Sequence, residues 1–486
     1  MAKEGLSSSL FSIKELSEKI KDGDITPVDL VENCLNRIQT LNPVLNAFIT
    51  VIEEQQLYKQ AQIAEKEIKQ GGYRSPLHGI PFSIKDIFHV KGVRCTAGSK
   101  ILANYVPKLD ATIIKKMSKA GAILIGTNNL NEFASGITGI NPFYGTSKNP
   151  WDVSKISGGS SGGSAVAVAT GMAQISLGTD TGGSIRVPSS LCGIVGLKPT
   201  YGRLSEHGYF PLSPSLDHVG SLTRSVWDAA VIMEYIAGGY PLDETSENNK
   251  THAYTRIIEK SNLEGLRIAL PKEFFFDCLH PTVEQLYHDF IKALESMGSI
   301  LVYDLDLHYT GKYYTSWRDI RLAEAAEIHL KWLNTRAYDY SDEVRDMLIQ
   351  GTKISAVNYI YALTIRERIR KEFLSILSHK VNVIIVPTTI IPAPRLDQET
   401  VNIGDGTILQ TREALLRNTI VFNSTGLPAI SIPIGLTKDN MPVGAQIIGP
   451  PFKEEIILSI AYNYEDMNNS MNKFIPPCAI IDKNKL

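Results

Sequence analysis

What is scarce in this 486-residue chain narrows its chemistry first. Cysteine is rare: Cys34, Cys95, Cys192, Cys278 and Cys478 are scattered and odd in number. They form no C-x-x-C pair and share no ligand spacing with histidine, which argues against a disulfide scaffold and against a zinc framework. Long apolar runs are missing too. No stretch reaches about 18 apolar residues, so no membrane-spanning helix is expected. The opening M-A-K-E-G-L-S-S-S-L has no apolar signal core. An excess of charge of one sign is absent, with a formal net charge of -2, so nothing advertises nucleic acid or an anionic membrane. No G-K-[ST] follows any glycine cluster, which removes the usual phosphate cradle. From these absences we expect a cytoplasmic protein with no metal or cofactor. We also expect no nucleic-acid or membrane partner, and a monomer or homodimer.

What is present is ordinary globular material, 43% hydrophobic and 21% charged, enough for a large core. Ser12 with Glu15 predicts a capped helix to about Lys21. Thr26-Pro27 starts a second helix, and a charged one spans about Glu53 to Gln70 and stops at Gly71-Gly72. Asp110 is expected to cap a helix to about Ala120. Short apolar strands alternate with helices: 79–86 (a strand and turn), 122–125, 174–177, 267–270, 300–303, 382–386, 429–433 and 443–448. This alternation predicts an α/β fold, a large mixed but mostly parallel twisted sheet covered by helices on both faces. Residues 240–264 read as a polar surface loop. One domain over 1–486 is expected: N-terminal helices over 1–75, a core over 76–235, a more peripheral helix-rich region over 240–380, and a return to the sheet over 381–486.

Two glycine-serine turns stand out. Gly158–Gly163 carries Ser160 and Ser161, and Gly178–Ser184 carries Asp180, three glycines and Ser184. Consecutive N–H groups in such a turn can face one concavity and hold an anion. Ser184 is expected just before a short helix opening at Ile185, where an oxyanion would be favoured. Asp180 and Arg186 are expected to brace the turn as an ion pair. A serine nucleophile needs a base. None of the ten histidines is singled out by its context. Lys85, at the end of the apolar strand Ile80-Pro81-Phe82, is unexpected there unless it has a task. Gly158-x-Ser160-x-Gly162 alone also fits a nucleophile elbow, but no Asp/Glu and His pair completes that triad. Tyr313, Tyr314 and Trp317 read more readily as packing than as a substrate wall, and Glu324 and His329, five apart, as packed or solvated.

The ordered set P-F-S-I-K-D, G-G-S-S-G-G-S-A and G-T-D-T-G-G-S-I-R-V-P-S-S resembles the amidase signature hydrolases. G-T-N-N-L-N-E-F at 126–133, S-L-D-H-V-G-S-L-T-R-S-V at 215–226 and G-L-P-A-I-S-I-P-I-G at 426–435 agree with it. The resemblance implies a serine hydrolase cleaving an amide C–N bond, with a Ser-cisSer-Lys triad on Ser184, Ser160 and Lys85. It implies oxyanion or substrate contacts from Thr181, Gly182, Gly183, Ser161, Asn131 and Phe133, and no metal. Carbamates, esters and aryl amides stay open as substrates. The glutamine-hydrolysing component of tRNA-dependent glutamine amidotransferase is similar over the same motifs. Its glutamine-holding Asp falls on Leu416 here, with Glu413 the nearest acid, and its Arg falls near Asp346-Met347. Both departures speak against glutamine.

Overall fold

Capping chemistry sets the first helices. Ser12 caps Ile13–Asp22 and Thr26 caps Pro27–Leu45, each in a capping box that Glu15 and Asp29 close. Pro27 occupies the first helical position, where no N–H is required. Helix Glu54–Lys69 stops just before the glycine pair. Asp110 does not cap its helix. Its carboxylate accepts from Lys91 N at 2.7 Å, and helix Thr112–Ala120 starts from Ala111.

This computed structural model describes residues 10–480 except 242, 244, 247–250, 272, 304, 306, 405 and 469–472. The signal-core reading falls on residues 1–9, outside the described residues, apart from Leu10. Eleven strands form one sheet. Their order is Phe48–Val51, Ile123–Asn128, Pro81–Lys85, Ile175–Thr179, Val219–Thr223, Val195–Lys198, Ala429–Leu436, Pro442–Ile448, Val383–Pro387, Arg267–Ala269 and Ile300–Val302. The sheet is mixed, but the expectation that it is mostly parallel is corrected. Six neighbouring pairs are antiparallel and four are parallel. The parallel pairs lie where helices cross over. The antiparallel ones come from the hairpin 429–448, from Val219–Thr223, which returns to insert between Ile175–Thr179 and Val195–Lys198, and from the edge strand Phe48–Val51 against Ile123–Asn128. Helix–strand alternation along a chain does not reveal such returns.

Pro81–Lys85, Ile175–Thr179 and Val219–Thr223 are buried at every position, so both of their faces are covered. The region 240–380 is less separate than its sequence implies, because Arg267–Ala269 and Ile300–Val302 complete one edge of the same sheet. Nor is 240–264 all surface loop. Helix Tyr254–Ile258 buries Tyr254 and Ile258, and Arg203 Nη2 donates to Tyr254 Oη at 2.6 Å. Among the described residues, no helix is long and apolar enough to cross a membrane.

Candidate active site

Strand pairing brings Lys85 to the glycine turns. Pro81–Lys85 runs parallel to Ile175–Thr179, with Phe82 opposite Ile175 and Ile84 opposite Leu177. Continuing that register sets Lys85 opposite Gly178, one residue before Thr179. Its Nζ lies 2.7 Å from Ser160 Oγ and 2.9 Å from Thr179 Oγ1, fully buried. Burial pushes the lysine down to about 7, against the pull of Asp217 and Asp180. Asp86 is turned away and accepts from Thr96 N at 2.9 Å, as strand alternation requires.

The first turn enters helix Gly162–Ala169. The Gly159–Ser160 peptide bond is cis. Ser161 Oγ donates to Thr179 O at 3.2 Å, and Ser161 N donates to Ser184 O at 3.2 Å, tying one turn to the other. Thr179 thus positions both Lys85 and Ser161. Sequence reasoning missed it, and the available signal was its place at the end of a strand next to Asp180.

In the second turn, Asp180 accepts from Gly183 N at 2.7 Å and Ile185 N at 3.1 Å. The Arg186 guanidinium meets both of its oxygens, at 3.0 and 3.1 Å, with each side chain fully buried. Burial alone would raise the Asp180 carboxyl, but the Arg186 charge and hydrogen bonds hold it well below the usual carboxylate range. The ion pair is as expected, and it changes one other assignment. Gly183 N–H points at Asp180 and is not free for an oxyanion, because a desolvated carboxylate demands donors. The N–H groups of Thr181, Gly182 and Ser184 have no acceptor among the described residues. Two glycines here are required by space. A Cβ on Gly182 would lie 2.6 Å from the Trp317 ring, and one on Gly183, at φ +131°, would lie 2.5 Å from Thr419 Oγ1. The helix beyond the turn is Arg186–Cys192.

Ser184 lines a tight pocket whose cavity volume is about 20 Å³. Helix Tyr313–Arg336 supplies one wall through Trp317 and Arg321, and Trp317 Nε1 donates to Thr181 O at 2.9 Å. The aromatic segment read as packing therefore divides: Tyr313 is core, whereas Trp317 faces the pocket. Arg321 was not singled out by sequence, and its helical spacing from Trp317 was the only cue. Leu416 lines the same pocket, Glu413 is exposed, and among the described residues no Asp or Glu joins the lining.

Asn131 and Phe133 lie outside the lining. Asn131 donates to Ile140 O at 2.9 Å and accepts from Gly139 N at 3.1 Å, shaping the loop that carries Gly136 and Ile137 to the pocket. Phe133 is fully buried among Phe210, His329, Trp332 and Tyr340. Burial pushes His329 down to about 4. Glu324 accepts from Ser213 Oγ at 2.6 Å, Ser215 Oγ at 2.5 Å and Tyr359 Oη at 2.9 Å, a packing role. Asp217, within the 215–226 segment, accepts from Thr181 Oγ1 at 2.5 Å and Tyr209 Oη at 3.0 Å, and steadies the second turn from behind.

Comparison with known proteins adds what geometry alone does not. The Amidase family model matches residues 29–458. One glutamyl-tRNA(Gln) amidotransferase component, from Carboxydothermus hydrogenoformans, is 36% identical, over 96% of this chain and 98% of its own. A solved structure described with a vestigial protein complex and the origins of an s-triazine catabolic enzyme is 32% identical with a TM-score of 0.89, covering 94% of this chain and 98% of its own. A crystal structure of an amidase is 33% identical with a TM-score of 0.85, covering 94% and 100%. The first relative's name makes it one component of an enzyme directed at a transfer RNA. The expectation of no nucleic acid and a lone monomer or homodimer is thereby overturned. It rested on a near-zero net charge, and net charge averages over the surface and says nothing of a local face. Motifs, sheet and matched span together place this chain in the amidase signature family, whose enzymes act on amide C–N bonds.

Proposed function

We propose that the chain hydrolyses a carboxamide through an acyl-enzyme on Ser184. Neutral Lys85 accepts a proton from the Ser160 hydroxyl while donating to Thr179, and Ser160 takes the proton of Ser184. Ser184 Oγ then attacks the amide carbonyl carbon. The N–H groups of Thr181, Gly182 and Ser184 hold the oxyanion. As the C–N bond breaks, Ser160 returns a proton to the leaving nitrogen, and Lys85 reprotonates Ser160. Water attacks the resulting ester by the same relay, releasing the acid and freeing Ser184. The observation that carries this reading is the buried Lys85–Ser160 contact at 2.7 Å with the lysine held near neutrality. A lysine can serve as base only where its ammonium form is disfavoured.

A second reading has its own support. The 36% identity over nearly the full length favours the role of the glutamine-hydrolysing component of an amidotransferase, in which the amide is glutamine and the released ammonia passes to a transfer-RNA-borne glutamyl group. The pocket lining favours the first reading, because no carboxylate among the described residues is there to meet an amino acid's ammonium.

The test is ammonia release from a panel of small carboxamides and glutamine, with the Ser184→Ala protein as control. Turnover lost in that variant, with an acyl adduct trapped on Ser184, supports the proposal. An adduct on Ser160 overturns it. Glutamine turnover that appears only with glutamyl-tRNA and added amidotransferase components selects the second reading.

A further inference from the structure

The acyl pocket contains a buried cation with no anion to meet it among the described residues. Arg321 is 6% exposed on helix Tyr313–Arg336 and lines the pocket with Ser184, Trp317 and Leu416. Its Nε is buried without an acceptor among those residues. Its Nη1 reaches only the Met347 thioether at 3.1 Å and Ser135 Oγ at 3.5 Å, both weak acceptors at these distances. Among the described residues it makes no ion pair. The guanidinium instead lies over the Trp317 ring, 5.1 Å from its centroid.

Other buried arginines are provided for. Arg186 has Asp180, Gln446 and Asn423, and Arg37 donates to the carbonyls of Thr170 and Ala479 at 2.6 Å. Arg412, the second guanidinium on the pocket, is committed to Glu343 at 2.9 Å and is partly exposed. Burial lowers Arg321 to about 9, and the Arg412 charge adds to that. An uncompensated buried charge is costly, and such groups are normally paired or hydrogen-bonded.

Given acyl transfer at Ser184, we propose that Arg321 is the specificity-determining residue of the acyl pocket, taking a carboxylate carried on the acyl part of the substrate. The substrate class is the monoamide of a short dicarboxylic acid. The tight lining around Ser184 favours a short chain. Trp317 links the two ends of such a molecule, since its indole packs on Gly182 beside the nucleophile and its face carries the guanidinium. Without an acid in the described lining, an α-ammonium on the acyl chain would be buried unpaired, so the unsubstituted monoamide is preferred to an amino-acid amide.

Four amides test this: succinamate, glutaramate, the neutral butyramide and glutamine, each with wild type, Arg321→Met, Arg321→Lys and Ser184→Ala. Wild type is expected to favour an anionic monoamide over butyramide by about 10⁴-fold in kcat/KM, the scale on which a site built to hydrogen-bond a substrate group rejects an analogue that lacks it, and to favour glutaramate over glutamine. Arg321→Met should erase the preference for charge, lowering kcat/KM for the anionic amides far more than for butyramide with Tm no lower, and Arg321→Lys should restore part of it. Calorimetric binding of glutarate to Ser184→Ala, lost when Arg321→Met is added, reads the same contact without catalysis. Equal loss on all substrates with a lowered Tm would assign Arg321 to structure and overturn the proposal. So would butyramide matching the anionic amides, or glutamine exceeding glutaramate. Turnover persisting in Ser184→Ala would instead overturn the reading of the nucleophile, and the glutarate titration would still decide the arginine.

Discussion

Trp317 Nε1 and Thr181 O are 2.9 Å apart, and this one hydrogen bond ties a helix from the middle of the chain to the glycine turn that carries Ser184. The indole also fills the space that a side chain on Gly182 would need. Trp317→Phe is therefore expected to keep the fold and lower kcat/KM by about 10- to 100-fold, through misplacement of the turn. Gly182→Ala should push the indole aside with a loss at least as large. Steady-state kinetics beside thermal unfolding check both, and unaltered kinetics in Trp317→Phe would show that the turn holds its shape alone.

Ser184 should be the residue that a fluorophosphonate-type serine probe labels. Ser184→Ala is expected to lose about 10⁴-fold or more in kcat, as when other serine hydrolases lose their nucleophile. Peptide mapping after labelling is the measurement.

In the proposed mechanism Lys85 sets the pH dependence. The base must be neutral and its burial places it at about 7, so the acid limb of kcat/KM should rise through that pH. Lys85→Ala should remove the limb and most amide hydrolysis, while harming ester hydrolysis less, because an alkoxide leaves with less help from a proton. Stability follows the same group. The unfolded lysine titrates near 10.5, so between about 7 and 10.5 the unfolded chain binds the extra proton and stability rises with pH. Below about 7 both states are protonated and the folded one bears the full burden of a buried ammonium. Lys85→Met should accordingly raise Tm near and below neutral pH and flatten its dependence above. An unchanged acid limb in Lys85→Ala, with amide turnover retained, would remove the lysine from the mechanism.

Arg186 and Asp180 brace the second turn in a fully buried pair. Arg186→Met leaves a carboxylate buried with its strongest partner gone, and should destabilise the protein by about 3–5 kcal/mol. Urea unfolding checks this. A change below about 1 kcal/mol would mean that the donors of Asn423, Gly183 and Ile185 suffice on their own.

What the chain determined by itself is short-range. Capping boxes at Ser12 and Thr26, the two glycine turns, and a lysine on an apolar strand are all written within a few residues, because helix starts, tight turns and strand burial are decided by neighbours. What only the tertiary structure decided is everything that crosses long distances along the chain. The antiparallel returns in the sheet are pairings between strands far apart in sequence. Asp180 took the Gly183 N–H because folding removed its water. Trp317 and Arg321 became a pocket wall because helix Tyr313–Arg336 packs over the turn, and no local pattern says which face of a helix will meet a site more than a hundred residues earlier. The residues of the proposed catalytic machinery were thus legible in the sequence, while Trp317 and Arg321 reached the pocket through packing.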